Sequence, residues 1–179
     1  MTSITTKRGD DGSTGLLFGN RVPKCDARIA AAGEADELNA ALGLARVHLM
    51  RADIREIIAR AQHDLVGLMG MISAGRSAMD RYAAQGFRMV TASETERLGA
   101  EVVMLESEFT NGFSGWSTPG ADRRPAPAWL EMARCVCRRA ERAVVGLDDA
   151  PDHVVPWLNR LSDLLWLCAR CEEAVPDSP

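Results

Sequence analysis

The chain has 179 residues, of which 46% are hydrophobic and 26% are charged, and its formal net charge at pH 7 is −4. This size and composition predict one globular domain with a sizeable core, and the acidic balance argues against a general nucleic-acid binder. No apolar run is long enough for a membrane helix, and the N-terminus lacks a signal-peptide layout, so we expect a cytoplasmic protein.

Residues 1–24 are rich in Gly, Thr, Ser and Asp and show no sustained periodicity, which predicts an ordered loop or arm. Within this arm, the glycines and hydroxyls of residues 9–15 could direct several N–H groups at an anion. The stretch is neither a Walker A loop nor a dinucleotide fingerprint, and a simple turn is the alternative. Lys24, just downstream, is a plausible phosphate partner.

Residues 25–175 are predicted to form a single helical bundle domain, because apolar residues recur there at steps of three and four in five segments. In chain order, these stripes are Ala35, Leu38, Leu42, Ala45 and Leu49; Ile54, Ile58, Ala61, Leu65, Leu68 and Ile72; Leu98, Val102, Leu105 and Phe109; Trp129, Met132, Val136, Ala140, Val144 and Leu147; and Val154, Trp157, Leu158, Leu161, Leu164, Leu165 and Cys168. No segment shows the strict alternation of a half-buried strand. The predicted fold class is therefore all-α, an up-and-down bundle of five helices.

Helix boundaries are predicted from caps and prolines. Ser93 with Glu96 three residues later fits a capping box at the start of the third helix. Pro127 and Pro151 are predicted in the first turns of the fourth and fifth helices, where a missing N–H costs nothing.

Two connections are long, residues 73–92 and 110–126. Long connections in a compact domain are usually functional or disordered. The second contains Phe113 and Trp116 among glycines and prolines, and this aromatic content favours a functional loop. The first contains several methionines, to which the sequence assigns no role.

The fourth helix carries the most informative charges. Arg134, Arg138 and Arg142 recur every four residues, with Glu141 beside them. Like charges at this spacing repel on an isolated helix, which makes sense if the arginines share an anion or buried carboxylates. A charged outer face is the alternative.

Other polar residues lie close to the predicted core. Asp36, Glu37 and Asn39 are on the first helix, and Asn159 and Asp163 share a face of the fifth. Polar groups flanked by core leucines are often buried and hydrogen-bonded, so a structural network explains them as well as function does.

Histidine and cysteine give no sign of a metal site. His48, His63 and His153 lie in separate segments and are interpreted as surface or packing residues. Five cysteines cannot all pair; Cys168 and Cys171 share a helix face but lack a second ligand pair, so reduced and mostly buried thiols are expected.

Taken in order, these motifs resemble those of the PduO-type ATP:cob(I)alamin adenosyltransferases. The matching runs are TKRGDDGSTGL at 6–16, RVPK at 21–24, DELN at 36–39, CRRAER at 137–142 and NRLSD at 159–163. The resemblance implies a homotrimeric five-helix bundle with active sites between subunits. Such enzymes transfer the 5′-deoxyadenosyl group of ATP to the cobalt of cob(I)alamin, giving adenosylcobalamin and triphosphate.

The resemblance also implies roles for individual residues. Positions matching the family's ATP and Mg²⁺ contacts are Thr6, Gly9, Gly12, Thr14, Lys24, Arg138, Glu141, Arg142 and Asn159. Asp36 matches an aspartate that pairs across the subunit boundary with the position of Arg138, and Arg134 matches a supporting arginine. The aromatic that displaces the lower axial ligand of cobalamin aligns with Trp116, and Phe113 and Phe109 are rival candidates.

The chemistry fits this resemblance, because cobalt(I) is itself a strong nucleophile and needs no protein base. The protein must align the cobalt with the 5′-carbon and stabilise the departing triphosphate. A flavin-type reductase and an adenosylcobalamin-dependent mutase are implied as partners. One alternative is a non-catalytic corrinoid or nucleotide-binding chaperone that kept the fold. Another is a plain helical interaction module, but this would leave unexplained the arginine ladder formed by Arg134, Arg138 and Arg142.

Overall fold

A computed structural model of the chain describes residues 5–110, 112–113 and 117–176. The described elements, in chain order, are β1 (Ser13–Gly15), β2 (Arg21–Pro23), α1 (Ala27–His48), α2 (Ala52–Ala74), α3 (Met79–Ala84), α4 (Ala92–Glu106), α5 (Pro125–Val145) and α6 (Val154–Glu173), with 3-10 turns at Leu17–Gly19 and Arg76–Ala78. The all-α class is confirmed. None of the helices in this part of the chain is long and apolar enough to cross a membrane.

The five long helices are the five predicted from the apolar stripes. Helix α1 packs against α2 and α5, α5 packs against α6, and α6 packs against α4. The core is centred on Trp157 of α6 and leucines of α1, which are fully buried. Removing one such side chain from water stabilises the fold by about 1.5–3 kcal/mol. Of the predicted stripe residues, Met132 is the exception, because it is exposed.

The N-terminal arm is more regular than predicted. Strands β1 and β2 pair antiparallel, with Thr14 opposite Val22, and form a hairpin. The Leu16 amide donates to the Asn20 carbonyl at 2.7 Å, which closes the turn. Strands of three residues are too short to show a period of two, so the sequence pattern gave no strand signal.

Two predicted helix starts are wrong. Helix α4 is capped by Thr91, whose N–H donates to Glu94 Oε2 at 2.9 Å, and not by Ser93 with Glu96. Both pairs fit the capping-box spacing, and buried Val90 fixes the earlier one. Pro151 precedes α6, which begins at Val154. Pro127 lies in the first turn of α5 as predicted.

The connection between α2 and α4, residues 75–91, is ordered along α2 rather than being an open loop. Tyr82 Oη donates to the Gly67 carbonyl at 3.1 Å. A Cβ on Gly70 would lie 2.2 Å from Tyr82 Oη, and one on Gly67 would lie 2.6 Å from the Arg88 carbonyl oxygen. The two glycines therefore allow the connection to approach α2 closely. The methionines of this region, Met69, Met71, Met79 and Met89, pack in or against the core.

Candidate active site

The hairpin brings three predicted site residues together. Lys24 N–H donates to the Gly12 carbonyl at 2.9 Å, which holds the end of β2 against the glycine-rich turn. A Cβ on Gly9 would lie 3.2 Å from Lys24 Cε and Nζ, so the lysine side chain crosses directly over Gly9. Gly12 has a φ of +81°, which favours glycine. A lysine ammonium therefore lies over a glycine-rich turn, as the sequence predicts for an anion site.

The hydroxyl residues of the hairpin are accessible. Thr6 is exposed, and Thr14 is half-buried within β1. Asp11 is exposed and accepts hydrogen bonds from Ser13 N–H at 2.9 Å and Ser13 Oγ at 2.8 Å. These bonds hold the pKa of the Asp11 carboxyl below its ordinary value. Asp11 therefore shapes the turn, and the Thr6 oxygen accepts from Arg8 N–H at 3.5 Å, which leaves its own O–H to donate to a ligand.

The second group of predicted residues lies where α5 and α6 pack together. Asn159 Nδ2 donates to Glu141 Oε1 at 3.2 Å. Arg138, Arg142 and Asn159 are exposed, whereas Cys137 and Ala140 on the opposite side of α5 are completely buried. The core therefore fixes α5 with these polar side chains turned to the surface.

The arginine ladder divides into two parts. Arg134 Nε donates to Glu131 at 2.8 Å, and buried Arg170 donates to the same carboxylate at 3.1 Å. Sharing of the buried Glu131 carboxylate thus accounts for the position of Arg134. Arg138 and Arg142 remain exposed on the subunit and are the members available to an anion.

The acidic residues of α1 face α5. Arg139 forms ion pairs with both Glu34 and Glu37. Asp36 is exposed, and none of the contacts in the described part of the chain joins it to Arg138. Asp36, Glu37, Asn159 and Asp163 are all exposed, so these four residues do not form a buried structural network. Asn39 is half-buried, with Oδ1 lacking a hydrogen-bond partner among the described residues.

A groove of about 390 Å³ runs between α4, α5 and α6, lined by Arg134, Arg138, Arg160, Asp163 and Trp166 among others. Phe113 stacks edge-on against Trp166 with ring centroids 4.6 Å apart, and Phe109 lies 4.7 Å from Phe113. Trp116 lies outside the described residues. The sequence analysis missed Trp166, although its position three residues after Asp163 places it on the same face of α6.

The predicted residues therefore form two groups within one subunit. Thr6, Gly9, Gly12, Thr14 and Lys24 belong to the hairpin, whereas Arg138, Glu141, Arg142 and Asn159 belong to the α5–α6 face. Among the residues that the structure describes, no hydrogen bond or ion pair joins the two groups. The three histidines are exposed, and no cluster in the described ranges could hold a metal ion by itself.

The family model for cobalamin adenosyltransferases matches residues 4–172. The chain belongs to this family. It is 35% identical over 177 residues to a cobalamin adenosyltransferase of Cupriavidus metallidurans, an alignment that covers 95% of this chain and 88% of the relative. It is 29% identical to a corrinoid adenosyltransferase of Citrobacter freundii, covering 99% and 98% of the two chains.

The fold agrees with this membership. A variant of the PduO-type ATP:corrinoid adenosyltransferase of Lactobacillus reuteri, solved with cobalamin and ATP, superimposes with a TM-score of 0.81 at 26% identity. The match covers 94% of this chain and 92% of that one. The resemblance inferred from the motifs is confirmed, and the chain is a transferase that adenosylates the cobalt of a corrinoid at the expense of ATP.

Proposed function

We propose that the active site of this adenosyltransferase is completed by two subunits of a homotrimer. The hairpin of one subunit would meet the α5–α6 face of its neighbour. The observation that carries this proposal is that no hydrogen bond or ion pair among the described residues joins the two groups within one subunit. A second copy of the chain would bring a hairpin to the α5–α6 face.

The charges on α1 and α5 support this arrangement. Arg139 pairs with Glu34 and Glu37 inside the subunit, which leaves Asp36 and Arg138 as an exposed acid and an exposed base on the same two helices. In a symmetric ring, each subunit presents Asp36 to one neighbour and Arg138 to the other. Asp36 of one subunit and Arg138 of the next would pair and set the register of the interface.

ATP would lie between the hairpin and the α5–α6 face. The Thr6 and Thr14 hydroxyls and the Lys24 ammonium would bind the triphosphate. The N–H groups of Asp10 and Gly12 already donate to carbonyls within the turn, so they hold its shape. Arg138 and Arg142 would approach it from the neighbouring subunit. Asn159 fixes the Glu141 carboxylate at 3.2 Å, which keeps that acceptor in place for the nucleoside.

Magnesium would enter with the triphosphate rather than occupy a site of its own. The described residues contain no group of three acidic, histidine or cysteine side chains suited to a metal ion. Mg²⁺ commonly keeps several waters and binds through phosphates with few protein ligands. The exposed Thr6 and half-buried Thr14 hydroxyls fit that limited role, and the ion would supply charge neutralisation.

The reaction is a displacement at carbon. Cobalt(I) donates an electron pair to the 5′-carbon of ATP, and that pair becomes the Co–C bond. The C–O bond to the triphosphate breaks, and triphosphate leaves with the electron pair of the C–O bond. The chain contributes alignment, which can supply a large part of the barrier reduction, and positive charge at the leaving group. Lys24 and Arg142 are the groups we assign to the departing triphosphate.

The corrinoid would occupy the groove between α4, α5 and α6. Trp166 lines this groove and is held edge-on against Phe113, and Arg138 belongs both to the groove and to the proposed ATP site. Adenosyl transfer requires the two substrates to be adjacent, and a shared lining residue meets that requirement. Trp116 is retained as the proposed wedge against the lower axial ligand, since its indole is apolar and has no metal-binding atom.

A charge exchange tests the shared site. The native mass of the wild-type protein should equal three subunits by light scattering. Asp36→Arg and Arg138→Asp should each weaken assembly and slow anaerobic formation of adenosylcobalamin from ATP, Mg²⁺ and cob(I)alamin. Placing both changes in one chain should restore assembly, because the pair is re-formed with reversed charges.

Glu56→Ala is the matched control, because Glu56 is an exposed acid on α2 whose pair with Arg60 is 3.8 Å long and lies within one helix. It should change neither mass nor rate. A wild-type mass of one subunit, or a double variant no better than the singles, would contradict the proposed interface.

A further inference from the structure

The tip of the hairpin rests on the end of α2 and on the connection that follows it. The Leu17 N–H donates to Ser73 Oγ at 3.0 Å. The guanidinium of Arg81, in α3, lies 4.2 Å from the centre of the Phe18 ring. These contacts come from residues 73–84, which lie outside every motif of the predicted active site.

Phe18 is held in an unfavourable conformation at this tip. Its φ is +70° and its ψ is 16°, in the left-handed region that non-glycine residues rarely adopt. Such a conformation persists where surrounding contacts over-determine it, and it is common at ligand clamps. The half-buried ring packs against the core and under Arg81, so the tip has one fixed orientation.

The same segment is also anchored to the connection between α5 and α6, through Arg76, which lies between Ser73 and Arg81. Arg76 N–H donates to the Asp149 carbonyl at 2.9 Å, and Arg76 Nε donates to the Ala150 carbonyl at 2.9 Å. Arg76 also pairs with Asp152 at 3.2 Å. Residues 73–84 are therefore tied to the α5–α6 connection and form a rigid support rather than a mobile flap.

We propose that residues 73–84 form a brace that positions the ATP-binding hairpin, and that Arg81 is a positioning residue for ATP through its contact with Phe18. The inference rests on the proposed role of the hairpin in binding the triphosphate. The orientation of the tip fixes the direction in which β1 and β2 leave it, and hence where Gly9, Gly12 and Lys24 lie relative to the bundle.

ATP affinity without corrinoid tests the brace. Arg81→Gln removes the cation from the ring and should raise the dissociation constant for ATP about three- to fivefold, in keeping with a partly exposed cation–π contact. At saturating ATP the turnover number should be unchanged, because no group at the reacting atoms is altered. Arg81→Lys keeps a cation over the ring and should restore most of the affinity.

Hydrogen exchange supplies a second measurement. In Arg81→Gln the amides of Leu16 and Leu17 should exchange faster, while those of α4 should not. Gln85→Ala is the control, since Gln85 is an exposed residue directly after the brace and should leave both affinity and exchange as in the wild type.

A double-mutant cycle shows whether Arg81 acts through Phe18. Phe18→Ala should weaken ATP binding by itself, and adding Arg81→Gln to it should change nothing further. Additive losses would overturn the proposed contact. If Lys24→Ala loses ATP affinity but Arg81→Gln does not, the brace is overturned. If Lys24→Ala itself keeps its ATP affinity, the hairpin's role in binding ATP is overturned.

Discussion

The two halves of the proposed site are built in different ways. In residues 5–24, which include the hairpin, only Leu16 is buried, and the turn is held by backbone hydrogen bonds and by Asp11. The α5–α6 half stands on helices whose opposite faces form the core. Substitutions in the hairpin should therefore change ligand binding without unfolding the protein, whereas substitutions behind the helices should change stability first.

The largest expected effect lies in the bundle, at Asp64. This carboxylate is completely buried and accepts from Arg88 Nε at 3.0 Å and from Arg97. Asp64→Ala should lower the free energy of unfolding by about 3 kcal/mol, the low end for a broken buried pair because both arginines can reach water. Urea unfolding of the variant and the wild type measures this difference in the free energy of unfolding. Glu56→Ala, an exposed acid on the same helix, should cost less than about 1 kcal/mol. Equal losses in the two variants would contradict the role of burial.

The next effect concerns the close approach at Gly70. Gly70→Ala places a methyl group against Tyr82 Oη and should destabilise the protein by about 1–3 kcal/mol through overpacking. Tyr82→Phe in the same chain should recover part of that loss by removing the hydroxyl. Gly99→Ala is the control, because a Cβ on this α4 glycine meets nothing within 4 Å and should stabilise the helix. Thermal unfolding of the wild type and the three variants is the measurement. A Gly70→Ala variant as stable as Gly99→Ala would show that the approach is looser than 2.2 Å.

Substitutions at the ligand-facing positions should separate rate from stability. Lys24→Ala and Arg142→Ala should each reduce kcat/KM at least about tenfold, or about 1.4 kcal/mol of transition-state stabilisation. Their unfolding midpoints should match the wild type, because both side chains are exposed. Anaerobic kinetics with ATP and cob(I)alamin give the rate. Near-normal rates in both variants would remove their catalytic assignment.

The smallest expected effect is in thiol reactivity, which also differs between exposed residues and residues buried in the bundle. Cys25 and Cys135 are exposed, whereas Cys137, Cys168 and Cys171 are buried and all five are free. Burial raises the pKa of the Cys137 and Cys168 thiols, and raises that of Cys171 to about 11. These three thiols should therefore stay neutral and unreactive at pH 8, and a colorimetric thiol reagent should modify the two exposed ones first. Modification of all five at one rate in the native protein would show that the bundle opens readily.

Sequence periodicity was sufficient for the long helices because each stripe reports one buried face, and helices such as α6 bury nearly every apolar residue. It was insufficient for the hairpin and for α3, because strands of three residues and a helix of six contain fewer than two repeats of the period being sought. The α4 cap was predicted two residues too late, because the sequence contains two overlapping capping boxes. The burial of Val90 favours the earlier of the two.

The site was predicted less completely than the fold. The motif residues of each half were found, and Glu141 with Asn159 meet as neighbours on adjoining helices. The sequence did not decide whether Asp36 and Asn159 are exposed. A residue next to a core leucine along a helix can point either to the core or to solvent. Trp166 and the brace were missed because their contacts join segments far apart in sequence, Phe113 with α6 and Phe18 with Arg81.

Complementation between inactive subunits tests the shared site most directly. Lys24→Ala damages only the hairpin half, and Arg142→Ala damages only the helical half. Co-expressed in equal amounts with two different tags and purified through both, they form mixed oligomers in which some interfaces carry two intact halves. Purification through both tags removes the homotrimers. In every mixed trimer, whichever variant is in the majority, only one of the three interfaces carries two intact halves, so adenosylcobalamin formation should recover to about a third of the wild-type rate. Mixed oligomers that stay as inactive as either parent would show that each site is built within one subunit, and would contradict the account.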